Sequence, residues 1–205
     1  MKINDVLSCK NFPCKDINNN SYLIPGLDLN PDKIKIVMIS EVPPIDSKDY
    51  FYSNAKSFYM ETTKQAFNES GHLVNSIQDI LNLGVYITTA VKCGKIGSSI
   101  SIDTIKECSF ILEEELNLFS NAKAYMLMGD VAIKSFNYIS KRKTNEATIP
   151  KGSTYKLRNQ SFYYQNIRIF PSYIITGKNF LIEKSKRKMI AEDIKNAFIE
   201  VEKYT

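Results

Sequence analysis

The sequence predicts an α/β protein built on a largely parallel sheet. Three observations carry this. Four short apolar or β-branched runs alternate with segments of helical periodicity. Each run closes on a turn, and strands alternating with helices are joined as parallel neighbours. The 205 residues are a single-domain length, because one core serves up to roughly 250 residues. A single domain over 1–205 is expected, opening with an irregular segment over 1–33.

The elements follow in order. The first thirty residues carry turn signals at Asn18–Asn20, Pro25–Gly26 and Asn30–Pro31. Ile34 to Ile39 reads as a buried strand and ends in Ser40-Glu41-Val42-Pro43-Pro44. Lys56 to Glu69 reads as a helix stopped by Gly71, and a second helix runs from about Asn75 to Leu83. Val85 to Val91 is a buried strand. Asp103 caps a helix that continues through Phe119, with Ile105, Cys108, Ile111, Leu112 and Leu116 at helical spacing. Lys123 to Met128 is a strand ending at Gly129-Asp130, followed by a helix over Val131 to Ser140. Thr154 to Leu157 and Phe162 to Tyr164 form a hairpin around Asn159-Gln160. Ile167 to Phe170 is the fourth main strand, and the last helix runs from about Ile182 to Glu202. Ligands of such sheets bind beyond the carboxyl ends of the strands. The turns after Ile39, Thr89, Met128 and Phe170 are therefore where function is sought.

Composition narrows the classes. Hydrophobic residues are 43% and charged residues 24%, which excludes bulk disorder. No apolar run approaches the roughly 18 residues of a membrane span, and Met1 to Lys10 lacks the apolar core of a signal peptide. A cytoplasmic protein with no membrane partner is expected. The net charge of +5 permits nucleic-acid contact without demanding it. Positive charge gathers at Lys141, Arg142 and Lys143, and again at Lys184, Lys186, Arg187 and Lys188 after Lys178. Lys184 and Lys188 also fit a solvated helix face. Cys9, Cys14, Cys93 and Cys108 read either as a metal site or as four reduced thiols, since cytoplasmic proteins rarely keep disulfides. The one histidine, His72, follows Gly71 at a helix end and reads as a capping or surface residue.

The four turns together resemble the uracil-DNA glycosylase superfamily, from Cys9 to about Ala197. Ser40-Glu41-Val42-Pro43-Pro44 stands where the branch carrying an iron–sulfur cluster has its glycine-glutamate-small-proline turn. Tyr86-Ile87-Thr88-Thr89 leads to Lys92-Cys93, as that branch's Tyr-Ile-Thr-Asn leads to Lys-Cys. Cys108 matches a later cysteine opening a helix, and Leu127-Met128-Gly129 matches an apolar strand ending in Leu-Gly. Phe170-Pro171-Ser172-Tyr173-Ile174-Ile175-Thr176-Gly177 lies where the family carries His-Pro-Ser. The order of these motifs at consecutive strand ends is the specific part.

The resemblance implies a three-layer α/β/α sandwich around a central four-stranded, mainly parallel sheet. It implies DNA as partner, a monomer, and removal of a deaminated base from a nucleotide flipped out of the duplex. Glu41 would organise or deprotonate the water, or serve as a structural hydrogen-bond acceptor. Phe51, then Tyr52, would stack on the base, or anchor their loop. Thr89 stands where the family reads the base with Asn, and its hydroxyl has less reach than an amide. Val42 occupies the place of the Asp most members use. The family histidine is replaced by Phe170 or Ile174, depending on register. Losing such a donor costs about 100- to 1,000-fold in rate. Ser172 and Tyr173 would border the substrate. Lys178 and Asn179 would contact phosphates, with Phe180 or Leu181 as a wedge and Arg187 adding a backbone contact. Cys9, Cys14, Cys93 and Cys108 would hold a 4Fe-4S cluster, with zinc or no metal as alternatives. The rival readings are a non-catalytic DNA-binding module of the same fold and a small-ligand α/β protein.

Overall fold

The computed structural model describes residues 1–53, 56–176, 180–181 and 183–204. The strands are β1 (Ile17–Asn18), β2 (Ile36–Ser40), β3 (Val85–Thr89), β4 (Gly94–Lys95), β5 (Ala124–Met128), β6 (Phe162–Tyr164) and β7 (Ile167–Ser172). The helices are α1 (Phe58–Glu69), α2 (Ile77–Asn82), α3 (Ile102–Leu116), α4 (Asp130–Thr144), α5 (Thr154–Leu157) and α6 (Lys184–Glu202). The main sheet has the order β3-β2-β5-β7-β6, parallel except for β6. Every residue of β2, β3 and β5 is buried, as expected of parallel strands covered on both faces.

Alternation along the strands builds two cores. Val37, Ile39, Tyr86, Tyr125 and Leu127 pack with residues of α3 and α4 on one face. Ile36, Met38, Ile87, Met126 and Met128 pack with residues of α1 and α6 on the other. The result is the expected α/β/α sandwich. Among the described residues no helix is long and apolar enough to cross a membrane.

The structure corrects three expectations. The sheet has five strands, not four, because β6 pairs antiparallel with β7. Thr154–Leu157 is helical and takes no part in the hairpin. Leu157 is buried while Tyr155 is exposed, a helical rather than an alternating pattern. The hairpin instead turns at Gln165–Asn166, with Gln165 at φ 53. Finally, Ser101 and not Asp103 caps α3, its Oγ accepting from the Thr104 N–H at 3.2 Å. Asp103 lies in the first turn, where its charge suits the helix dipole. The first 33 residues are mostly irregular, with Ile3 and Leu7 buried against the core and β1 paired to β4. His72 stacks on Phe198 and meets the Ser70 hydroxyl at 2.9 Å, bridging α1 and α6.

Candidate active site

Glu41 follows the last residue of β2 and turns toward the start of α4. Its Oε1 accepts from the Val131 N–H at 3.1 Å. Gly129 makes room for it. A Cβ at that position would stand 2.5 Å from Glu41 Oε1 and 2.8 Å from Ile174 Cγ1. The backbone there is at φ 101 and ψ 171, a region essentially reserved for glycine. The Glu41 backbone is held separately. Its carbonyl accepts from the Val91 N–H at 3.0 Å, and the Ser40 carbonyl accepts from the Ala90 N–H at 2.8 Å.

The carboxylate opens on a cavity of about 330 Å³, bounded also by Tyr173, Ile174, Thr176, Phe180 and Lys186. Two other carboxylates of the wall are ion-paired: Asp130 with Lys134 and Glu183 with Lys186, each at 2.5 Å. Glu41 has no ion-pair partner among the described residues. The arrangement offers one anchored acid facing a small chamber, which is suited to orienting a water molecule.

The structure brings Glu41 and Tyr173 into this cavity, and the Tyr173 ring lies 5.4 Å from Lys186 Nζ. Phe51 and Thr89 do not line it. Phe51 is 0% exposed, with its ring 5.6 Å from that of Tyr50 and 5.3 Å from that of Tyr59. The Tyr52 hydroxyl donates to the Ile87 carbonyl and accepts from the Ile87 N–H, both at 2.8 Å. It thereby satisfies both backbone groups of Ile87 on the open edge of β3. Thr89 is fully buried, and its Oγ1 has no hydrogen-bond partner. The Ser172 hydroxyl donates to Asp193 Oδ2 at 2.7 Å and so faces α6. Burial pushes the Asp193 carboxyl up, opposed by Arg158 and Ser172. Arg187 is paired with Glu69 across to α1. Lys178 and Asn179 lie outside the described residues.

Sequence reasoning quoted Lys92 only as part of the Lys92-Cys93 motif and missed its partner Glu115. Lys92 and Glu115 form a fully buried ion pair at 2.5 Å. Their signals were a lysine within an apolar run and a glutamate between Leu112 and Leu116 on the apolar face of α3.

The cysteines share one region. Buried Cys93 and Cys108 pack with Ile17, Val91 and Ile105, with partly buried Cys14, Phe12 and Tyr22 against them. Cys9 is half-buried. Burial first, then the neighbouring thiols, pushes Cys93 up to about 12; burial likewise carries Cys108 up to about 11. The Lys92 backbone amide opposes that rise at Cys108. The Tyr22 phenol is pushed up by burial and feels Cys9, Cys93 and Cys108. Among the described residues, no three His, Cys, Asp or Glu side chains stand close enough to hold a single metal ion.

Residues 28–192 match the uracil DNA glycosylase superfamily, and the chain belongs to that superfamily. Among solved structures it is similar to that of wild-type UNG from Nitratifractor salsuginis, at 11% identity and a TM-score of 0.42. That likeness covers 80% of this chain and 74% of the other. No curated protein matches the chain. Of the two registers for the family histidine, Ile174 lines the cavity. Phe170 sits within β7, with Arg168 over its ring at 4.8 Å. The superfamily's members are DNA glycosylases, and the fold here is of that kind.

Proposed function

We propose that this protein binds DNA and removes a deaminated base by hydrolysis of the N-glycosidic bond, acting as a cytoplasmic monomer. The observation that carries the reading is the Glu41 carboxylate, anchored by the α4 N-terminus and facing a chamber at the strand ends. Glu41 orients a water whose oxygen bonds to the sugar C1′ as the C1′–N bond breaks. The base leaves with the bonding electron pair, and the water's proton passes to solvent or to the base. Ile174 offers that base no donor, so backbone amides after β7 would take its charge, and a slow enzyme is expected. With uracil-, hypoxanthine- or xanthine-containing oligonucleotides and alkaline scission, Glu41→Gln should lower base release about 100-fold or more. Wild-type release no faster than the variant's on all three bases would sink the enzyme reading.

The apolar Ile174 and the buried Phe51 and Thr89 favour a second reading, a DNA-binding module without turnover. It predicts affinity that falls steeply with salt and no base release.

We further propose that Cys9, Cys14, Cys93 and Cys108 hold a 4Fe-4S cluster tying the N-terminal segment to β3 and α3. The donor set supports it: Cys14, Cys93 and Cys108 share one apolar patch, and Cys9 lies near enough to act electrostatically on the Cys93 and Cys108 thiols. A thiolate quartet is the usual ligand set of such a cluster, with zinc as the lesser option. Anaerobically purified protein should be brown with about four irons per chain, and Cys93→Ala with Cys108→Ala should be colourless. Colourless, metal-free wild type would leave four ordinary thiols.

A further inference from the structure

Lys92 and Glu115 are 1% and 0% exposed at their side chains, and neither lines the cavity beside Glu41. Their bonding is complete. Lys92 Nζ donates to Glu115 Oε2 at 2.5 Å, to Thr88 Oγ1 at 2.9 Å and to the Thr89 carbonyl at 2.6 Å, using all three of its donors. Glu115 Oε1 accepts from the Tyr86 hydroxyl at 2.7 Å and from Thr88 Oγ1 at 2.9 Å. A buried ion pair is a poor device for stability, because desolvation consumes most of the attraction and an apolar pair would pack as well. What this pair does that an apolar pair would not is grip one backbone carbonyl. That carbonyl belongs to Thr89, the last residue of β3. The two following amides reach the neighbouring strand end: Ala90 N–H donates to the Ser40 carbonyl and Val91 N–H to the Glu41 carbonyl. One continuous chain of bonds therefore runs from Glu115 on α3, through Lys92 and the Thr89–Val91 turn, to the backbone of Glu41.

We propose that Lys92, held by Glu115, is a positioning residue that fixes the Thr89–Val91 turn and through it Glu41. The assignment of Glu41 rests on the glycosylase reading; the hold on the turn does not. Lys92 touches no substrate and acts only through this backbone. The same residue directly precedes Cys93, so the grip also joins the cysteine region to the strand ends.

The test is the doubly neutral variant Lys92→Met with Glu115→Gln. It leaves no buried charge and keeps acceptors for the Tyr86 and Thr88 hydroxyls, so the chain should fold, as checked by its unfolding midpoint. In the full-length protein, amide hydrogen exchange over residues 89–92 should quicken about tenfold, while β5 keeps its protection. On a uracil oligonucleotide, kcat should fall about 10- to 100-fold with KM within about twofold, as expected of a misplaced group. Unchanged exchange over 89–92 in the folded variant overturns the proposal, whatever the activity. Faster exchange in a protein whose wild type releases no base upholds the positioning role and sinks the glycosylase reading alone. Faster exchange with an unchanged kcat overturns the link to Glu41.

Discussion

Lys92→Met alone is expected to destabilise the protein by about 3–5 kcal/mol, the usual result of stripping one partner from a buried pair. Without the ammonium, the Glu115 carboxylate keeps only the hydroxyls of Tyr86 and Thr88. No solvent reaches it to replace the lost charge, since both side chains are sealed between α3 and β3. For a chain of this size the loss corresponds to a fall of about 6–20 °C in the unfolding midpoint. Adding Glu115→Gln should restore most of that fall, because the variant then buries no unpaired charge. Thermal and urea unfolding of the single and double variants measure both effects. A single variant melting within about 2 °C of wild type would mean that water reaches the pair and that it is not buried as described.

The second large effect is expected at Gly129. Alanine there meets two obstacles: a backbone at φ 101, and the space occupied by Glu41 Oε1 and Ile174 Cγ1. The backbone alone costs about 1–3 kcal/mol. The Cβ is accommodated only if the Glu41 carboxylate swings away from the Val131 N–H, because a side chain yields more readily than the strand end behind it. Gly129→Ala should therefore fold with a lowered urea midpoint and release base about 100-fold more slowly. A folded variant working at the wild-type rate would show that Glu41 need not sit where it does.

Much of the scaffold could be read from the chain. β2, β3 and β5 are largely apolar or β-branched runs, and burial on both faces demands such runs; β7 could be read from Ile167, Ile169 and Phe170 although Arg168 interrupts it. The β6 strand could be read as Phe162–Tyr164, but its hairpin partner could not. Its three residues are partly exposed, and its pairing depends on a turn at Gln165 that carries no glycine. Glu41 could be read because it is the only carboxylate in the turn after the first strand of the main sheet. The fates of Ser172, Arg187 and Tyr52 could not. Each is decided by a partner far along the chain: Asp193 for Ser172, Glu69 for Arg187 and the Ile87 backbone for Tyr52. A local motif states what a side chain can bond to, but the fold decides which bond it makes. Lys92 illustrates the same limit, since only its distance from Glu115 separates a buried pair from two surface charges.

The phenol of Tyr52 has a consequence for the molecule in a crowded solution. Margin strands of sheets are where chains recruit one another into fibrils, by offering bare amides and carbonyls as a template. On the β3 margin, the Ile87 amide and carbonyl are both engaged by a hydroxyl, and the next outward carbonyl, that of Thr89, is taken by an ammonium. An incoming strand would find these three docking points occupied by side chains of the same molecule. Strand addition is thereby opposed at the Ile87–Thr89 stretch of this border without spending a proline or a bulge on it.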